Sequence, residues 1–122
     1  MTRVLYVDDE DDIREVAELA LSLDPMFEVR TCPSGQDALS VIPSWKPDVI
    51  LLDVMMPGLD GPTTLALLKN QHGDELPPVL FCTARTQADD VRSYQDLGGA
   101  GVIPKPFNPM ELAAQVKRFL AS

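Results

Sequence analysis

The sequence predicts an α/β fold, in which a parallel five-stranded sheet is doubly wound by helices on both of its faces. Short apolar runs rich in β-branched residues alternate with helical patterns along the whole chain. Near-continuous apolar runs are typical of strands buried on both faces, as in a parallel sheet. A regular alternation of strands and helices then favours right-handed crossovers that cover both faces of the sheet.

Four of the five predicted strands run directly into a chemically functional residue. These apolar runs are Val4–Val7, Val49–Leu52, Val79–Cys82 and Val102–Pro104. Phe27–Thr31 alternates apolar and polar residues, which is typical of a half-exposed edge strand. Because ligands of open α/β sheets bind beyond the carboxyl ends of the strands, the residues that follow the four runs are candidates for one site.

The helical patterns have recognisable starts. Ser34–Asp37 resembles a capping box that opens the second helix, and Asp60–Pro62 opens the third with proline in the first turn. Thr86–Asp89 is predicted to open the fourth helix, which Gly98–Gly99 ends, and Asn108–Glu111 to open the fifth.

Two helices show an apolar stripe that predicts a buried face. In the first helix the stripe consists of Ile13, Val16, Ala17, Ala20 and Leu23. In the fifth helix it consists of Leu112, Val116, Phe119 and Leu120. We expect both stripes to pack against the sheet.

Bulk properties indicate one globular domain over residues 1–122, with 45% hydrophobic and 24% charged residues. A net charge of −9 leaves no basic surface for nucleic acid or an anionic membrane. No apolar run approaches the about 20 residues of a membrane span, and because the N-terminal residues lack a signal-peptide layout we expect no signal peptide. Two strand-embedded cysteines, Cys32 and Cys82, favour a reducing cytoplasmic location, and the single His72 excludes a multi-histidine metal site.

Three aspartates are candidate metal ligands: Asp8 and Asp9 follow the first strand, and Asp53 follows the third. Neighbouring carboxylates raise each other's pKa unless a cation intervenes. An all-oxygen, carboxylate-rich site favours Mg²⁺. The alternative that remains open is a solvated acidic face at the start of the first helix, which suits Asp11 and Asp12.

A hydroxyl and an amine, on Thr83 and Lys105, are expected at the same edge of the sheet. Together with the carboxylates they suit a phosphoryl group, whose transfer depends mainly on positioning and charge neutralisation. A carboxylate can itself attack phosphorus, and Asp53 is the best candidate because it is the lone acid after the central apolar run. Taken singly, Thr83 would be an ordinary strand-end residue and Lys105 a surface lysine. The hypothesis depends on their meeting the carboxylates at one edge of the sheet.

Four blocks of sequence resemble one known family. They are Val7–Glu10, Leu51–Gly61, Cys82–Ala84 and Lys105–Phe107. In this order they resemble the response-regulator receiver domain of bacterial two-component signalling, and the chain is similar to stand-alone chemotaxis response regulators. The resemblance implies a flavodoxin-like sheet with strand order 2-1-3-4-5 and five helices.

The resemblance also implies a role for each site residue. Asp53 would accept a phosphoryl group from a histidine of a sensor histidine kinase or a histidine phosphotransfer protein. Asp9 would bind Mg²⁺ directly and Asp8 mainly through water, with Asp53 and the backbone carbonyl of Met55 as further ligands. Phosphorylation would switch the binding of a downstream protein target.

In this family Thr83 and Lys105 would contact the phosphoryl oxygens, and the Lys105–Pro106 bond would be cis, which proline permits at little cost. Val102 departs from the family, which often carries Tyr or Phe at that position. Pro104 is also unusual and requires an edge strand. We therefore hypothesise that phosphorylation shifts the loop after the fourth strand and the region of Phe107.

Other surfaces follow from the same resemblance. Met55 and Arg85 would flank the path of water that attacks the phosphoaspartate and so tune its lifetime. Contacts with the phosphodonor would involve Ile13, Arg14, Pro106 and Phe107. An output or dimerisation face would include Arg92, Tyr94, Val102 and Lys117. The chain would be a monomer or a phosphorylation-dependent dimer.

Two alternatives remain. One is a degenerate receiver that acts as a phosphorylation-independent binding module. The other is a hydrolase of the haloacid-dehalogenase type, which would carry Asp where this chain has Glu10. No P-loop pattern is present, and we expect self-directed phosphotransfer and autodephosphorylation rather than turnover of an external substrate. With the fifth helix running to Ser122, we expect no output domain within this sequence.

Overall fold

The computed structural model describes residues 1–121, in which strands and helices alternate. The strands are β1 (Thr2–Val7), β2 (Phe27–Cys32), β3 (Val49–Asp53), β4 (Val79–Thr83) and β5 (Gly101–Pro104). The helices are α1 (Asp11–Ser22), α2 (Gly35–Trp45), α3 (Gly61–His72), α4 (Ala88–Asp96) and α5 (Leu112–Leu120). The predicted end of the last helix at Ser122 lies outside the described residues.

All four strand pairings are parallel, and the sheet has the order β2-β1-β3-β4-β5. The predicted fold class is therefore confirmed. The chain leaves β1 toward β2 and later returns to place β3 on the opposite side of β1. This reversal opens a crevice at the carboxyl ends of the central strands, where ligands of such sheets bind.

The sheet separates two apolar cores, and β1 contributes to both. Its alternate residues Val4 and Tyr6 pack beneath α1 and α5, whereas Leu5 and Val7 pack against α2, α3 and α4. All four are 0% exposed. A strand covered on both faces needs apolar residues at every position, which explains why its sequence does not alternate.

Several predicted helix ends are confirmed. The Ser34 hydroxyl accepts a hydrogen bond from the Asp37 N–H at 3.1 Å, and the Asp60 carboxylate accepts one from the Thr63 N–H at 2.8 Å. After α4, Gly98 adopts a φ of +103°, a conformation that favours glycine. The two caps thus begin α2 and α3, and the glycine follows the end of α4, where the chain turns back toward the sheet.

Two other helices begin within or directly after the segments predicted to open them, but the first residue of neither segment is the cap. α4 begins at Ala88, so its N-cap position is occupied by Gln87 rather than by Thr86, and the Gln87 side chain makes no capping hydrogen bond. α5 begins at Leu112 because Asn108 forms a turn of its own, its side chain accepting a hydrogen bond from the Met110 N–H at 2.9 Å. Side-chain acceptors of this kind open turns as well as helices.

The predicted apolar stripes are only partly buried. The buried residues of α1 are Ala17, Ala20 and Leu21. Val16 and Leu23 are 40% and 61% exposed, and Leu120 of α5 is 36% exposed. Packing on two small alanines turns α1 so that Leu21 faces the sheet, and the predicted stripe is wrong at its margins.

Other bulk expectations can be compared with the described residues. Cys32 and Cys82 are buried and free, as their strand positions predict. Among residues 1–121, none of the helices combines the length and apolar character needed to cross a bilayer. β5 lies at the edge of the sheet, where Pro104 is tolerated as predicted.

Candidate functional site

The structure brings the predicted site residues together at one edge of the sheet. Asp8 follows β1, Asp53 ends β3, Thr83 ends β4 and Lys105 follows β5. Carboxylate oxygens of Asp8, Asp9 and Asp53 all lie within 4.8 Å of one another. The Lys105 Nζ lies 2.8 Å from Asp8 Oδ2 and 3.2 Å from Asp53 Oδ1. One ammonium therefore bridges two carboxylates.

Asp8 is fully buried, and both of its carboxylate oxygens are engaged. Oδ2 accepts hydrogen bonds from the Tyr6 hydroxyl at 2.9 Å and from Lys105, and Oδ1 accepts one from the Glu10 N–H at 3.0 Å. Burial, followed by the proximity of Cys82 and Asp8, raises the pKa of Tyr6 well above its ordinary value. The phenol thus remains protonated and can donate to Asp8.

Asp53 and Lys105 have shifted pKa values. Burial and the neighbouring Asp8 raise the pKa of the Asp53 carboxyl, against the opposing effects of Lys105 and of a hydrogen bond from the Met55 backbone. Partial burial opposes the charge on Lys105, but its contacts with Asp8 and Asp53 outweigh this and raise its pKa. The site therefore holds a protonated lysine beside a carboxylate that binding of a cation would stabilise.

The acidic cluster fits a divalent cation that prefers oxygen ligands. It offers three carboxylates, of which Asp9 is accessible to solvent whereas Asp8 and Asp53 are buried. Mg²⁺ typically uses one or two carboxylates and retains several waters. A cluster with one accessible and two buried carboxylates offers the ion carboxylate ligands and leaves one side open for its waters.

Thr83 faces the same site and is buried, with 6% of the residue exposed. Its Oγ1 accepts a hydrogen bond from the Arg85 N–H at 3.0 Å, so the hydroxyl hydrogen can still be donated. A cavity of about 390 Å³ opens beside it. The lining includes Asp53, Met55, Thr83, Arg85, Tyr94 and Lys105.

The backbone that follows Asp53 leaves no room for a side chain at position 61. A Cβ on Gly61 would lie 2.5 Å from the Asp53 carbonyl oxygen, and the Gly61 N–H donates to the Val54 carbonyl at 2.9 Å. The Lys105 N–H donates to the Thr83 carbonyl at 2.9 Å, and the Lys105–Pro106 bond is cis, as predicted. The start of α3 and the end of β5 thus hold Asp53, Thr83 and Lys105 in register.

The residues of the expected output face differ in exposure: Tyr94 and Val102 are buried or half-buried, whereas the other two are accessible. Tyr94 is only 9% exposed and packs in the core beside Phe81, so it contributes little accessible surface to that face. Val102 is half-buried in the same core. Arg92 and Lys117 are exposed, with 70% and 51% of their side chains accessible.

The residues expected to meet a phosphodonor lie around the site. Arg14 donates a hydrogen bond to the Asp8 carbonyl at 2.8 Å, and Ile13 is half-buried beside it. Pro106 is exposed, and Phe107 packs edge-to-face on Tyr6 with 6.2 Å between ring centroids. Sequence patterns did not predict that Tyr6 contacts the site through its hydrogen bond to Asp8 and its packing with Phe107. A tyrosine within an apolar run is typical of an ordinary core residue.

Comparison with known proteins agrees with this geometry. Residues 4–117 match the family model of the response regulator receiver domain. The chain belongs to this family of two-component signalling domains. It is 37% identical over 119 residues to the transcriptional regulatory protein CseB of Streptomyces avermitilis, covering 98% of this chain and 49% of that protein. The chain spans about half the length of the curated relatives it matches.

Solved receiver structures have the same fold. The chemotaxis response regulator CheY4 of Vibrio cholerae superimposes with a TM-score of 0.88 at 32% identity, covering 98% of both chains. The BeF3-activated receiver domain of DrrB, a response regulator of Thermotoga maritima, superimposes with a TM-score of 0.82 at 29% identity, covering 100% of this chain and 99% of that one.

Proposed function

We propose that this receiver domain accepts a phosphoryl group on Asp53 in a Mg²⁺-dependent reaction. The donor would be a phosphohistidine of a sensor histidine kinase or a histidine phosphotransfer protein. The observation that carries the proposal is the placement of the Asp53 side chain, which is 7% exposed and whose carboxylate lies 3.2 Å from the Lys105 ammonium, beside a cavity that Thr83 also lines.

In the transfer, a carboxylate oxygen of Asp53 attacks phosphorus, and the bond from phosphorus to the donor's imidazole nitrogen breaks. The electron pair of that bond returns to the imidazole. Lys105 would leave its place between the two carboxylates to contact the phosphoryl oxygens, and Thr83 would donate its hydroxyl hydrogen to them. Both effects stabilise charge that moves onto those oxygens.

Asp9 and Asp53 would bind Mg²⁺ directly, together with the Met55 carbonyl. Asp8 would act mainly through water, because both of its oxygens already accept hydrogen bonds within the protein. Bound there, Mg²⁺ would neutralise charge on the phosphoryl oxygens. The all-carboxylate donor set supports this choice of metal.

We further propose that the domain phosphorylates and dephosphorylates only itself and signals by changing its affinity for a downstream protein. The compact cavity, with its lysine, hydroxyl and acids, suits one phosphoryl group. Met55 and Arg85 both line it, and Met55 is 77% exposed. Their side chains would lie on the path of the water that removes the phosphoryl group.

A small acyl phosphate with Mg²⁺ tests the proposal. Intact-mass measurement should show one phosphoryl adduct per chain, stable in acid and lost in mild alkali. Asp53→Asn should abolish the adduct, and Asp74→Asn, at an exposed acid outside the cavity, should leave it unchanged. Equal labelling of Asp53→Asn would contradict the proposal. Repeated turnover would indicate a hydrolase, and complete absence of labelling would indicate a degenerate receiver.

A further inference from the structure

One wall of the phosphoacceptor cavity is formed by α4. This helix is largely polar and exposed, and among its nine residues Tyr94 is the single buried one. The Tyr94 ring packs against Phe81 of β4, with 5.1 Å between ring centroids and an interplanar angle of 43°. The attachment of α4 to the core therefore depends mainly on one ring.

Tyr94 also lines the cavity that contains Asp53, Thr83 and Lys105. Phe81 lies two residues before Thr83 on the same strand, so their side chains project from the same face of the sheet. The neighbouring strand contributes Val102, which has no ring, to this core. Among the residues that line the cavity, the aromatic ring is thus supplied by Tyr94 of α4.

The connection after α4 is packed against the same aromatic pair. A Cβ on Gly99 would lie 2.9 Å from the Phe81 ring and 3.0 Å from the Tyr94 carbonyl oxygen. The Gly99 N–H donates to that carbonyl at 2.9 Å. Because Gly99 has no room even for a Cβ between Phe81 and Tyr94, the end of α4 has little space in which to adjust when the Tyr94 ring moves.

We infer that Tyr94 is a positioning residue that makes the packing of α4 depend on what the cavity holds. The inference rests on the proposed function, because the occupant is the phosphoryl group on Asp53. A group that enters beside Thr83 meets the Tyr94 ring, and a shift of that ring changes the one buried contact of α4. A protein that binds α4 would thereby sense phosphorylation. Coupling of this kind is reciprocal, so α4 also affects binding in the cavity.

Amide hydrogen exchange of the full chain, with Mg²⁺ and with or without beryllofluoride as a phosphoryl analogue, tests the inference. In the parent protein and in Tyr94→Phe, the analogue should change exchange in α4 by at least about fivefold, the lower end of ordinary allosteric coupling. In Tyr94→Leu this response should be lost, whereas protection of the loop after Asp53 should remain. Arg92→Leu, at an exposed position of the same helix, is the matched control and should respond like the parent.

Fluorine NMR of bound beryllofluoride separates the two proposals. If the analogue binds and α4 responds equally in Tyr94→Leu and in the parent, the role of Tyr94 is overturned and the proposed function stands. If the parent does not bind the analogue, both are overturned. Urea denaturation of each variant verifies that Tyr94→Leu is folded under the conditions of exchange.

Discussion

Tyr6 shows how one polar atom changes the role of a core residue. Its ring lies fully buried in β1, and its hydroxyl donates to Asp8. A buried tyrosine hydroxyl requires a partner, and here the partner is a carboxylate of the acidic cluster. The apolar run around Tyr6 predicts the strand, but the direction of the hydroxyl depends on Asp8 two residues later, at the strand end.

We predict that Tyr6→Phe lowers the free energy of unfolding by about 1 kcal/mol, the net value of a typical hydrogen bond. The loss stays moderate because Asp8 keeps Lys105 and the Glu10 N–H as partners. Urea denaturation measures the change. Tyr94→Phe keeps its ring packing and is the matched control, so an equal loss in both variants would show that the bond to Asp8 is not the source.

The cysteine thiols should be unreactive in the folded protein. Burial, and then the charge of Asp37, raises the pKa of Cys32 to about 11, and burial also raises that of Cys82. Modification by a disulfide reagent at pH 8 should be slow, and it should become rapid in urea. Rapid modification of the folded protein at pH 8 would contradict this prediction.

The same shift predicts how stability depends on pH. The unfolded thiol loses its proton near its ordinary pKa of 9.0, before the folded one does at about 11. Between these values the folded state binds more protons, so the free energy of unfolding falls as the pH rises. Cys32→Ser should reduce this decline in urea titrations, and an unchanged decline would assign it to other groups.

At the scale of single elements, the two candidate helix caps provide a direct comparison. Ser34→Ala removes an observed cap of α2 and should lower the free energy of unfolding by about 1 kcal/mol. Thr86→Ala should have almost no effect, because Thr86 does not cap α4. Thermal or urea denaturation measures both. A comparable loss in Thr86→Ala would show that the start of α4 differs in solution.

Strands were easier to predict than helix faces for a physical reason. Parallel strands covered on both faces must be apolar throughout, so their position and their polar ends are visible in the sequence. A helix, by contrast, can bury any of several neighbouring faces against the sheet, and the sequence pattern does not fix which one. In α1, Val16 and Leu23 continue the periodic stripe, yet Ala17 and Ala20 allow closer approach to the sheet and turn those two residues outward.

At the scale of the whole molecule, topology explains why the site could be predicted. Lys105 and Asp8 are 97 residues apart in sequence and form a 2.8 Å contact. Parallel strands bring their carboxyl ends to one edge, so residues at those ends must meet. The position of Tyr94 could not be predicted in this way, because it depends on how α4 docks on Phe81, and no repeating pattern records that contact.

Binding of Mg²⁺ should stabilise the whole fold, because the ion relieves repulsion among three carboxylates that unfolding separates. At a hundredfold excess over its Kd, a ligand specific for the folded state contributes about 2.7 kcal/mol. Thermal denaturation with Mg²⁺, compared with NaCl at equal ionic strength, measures this effect.

Asp9→Asn is the informative variant for that measurement, since Asp9 is the accessible member of the cluster. It should be more stable than the parent without Mg²⁺, because one negative charge is removed, and it should gain little when the ion is added. An equal gain in the variant and the parent would exclude the acidic cluster as the binding site.

The proline in the outermost strand also bears on self-association. Since the Lys105 N–H points toward β4, the backbone nitrogen of Pro104 faces the open margin of the sheet, where it has no hydrogen to offer. At the opposite margin, β2 presents the charged side chains of Glu28 and Arg30. Both margins thereby discourage an incoming strand from another chain, a common safeguard against fibril growth.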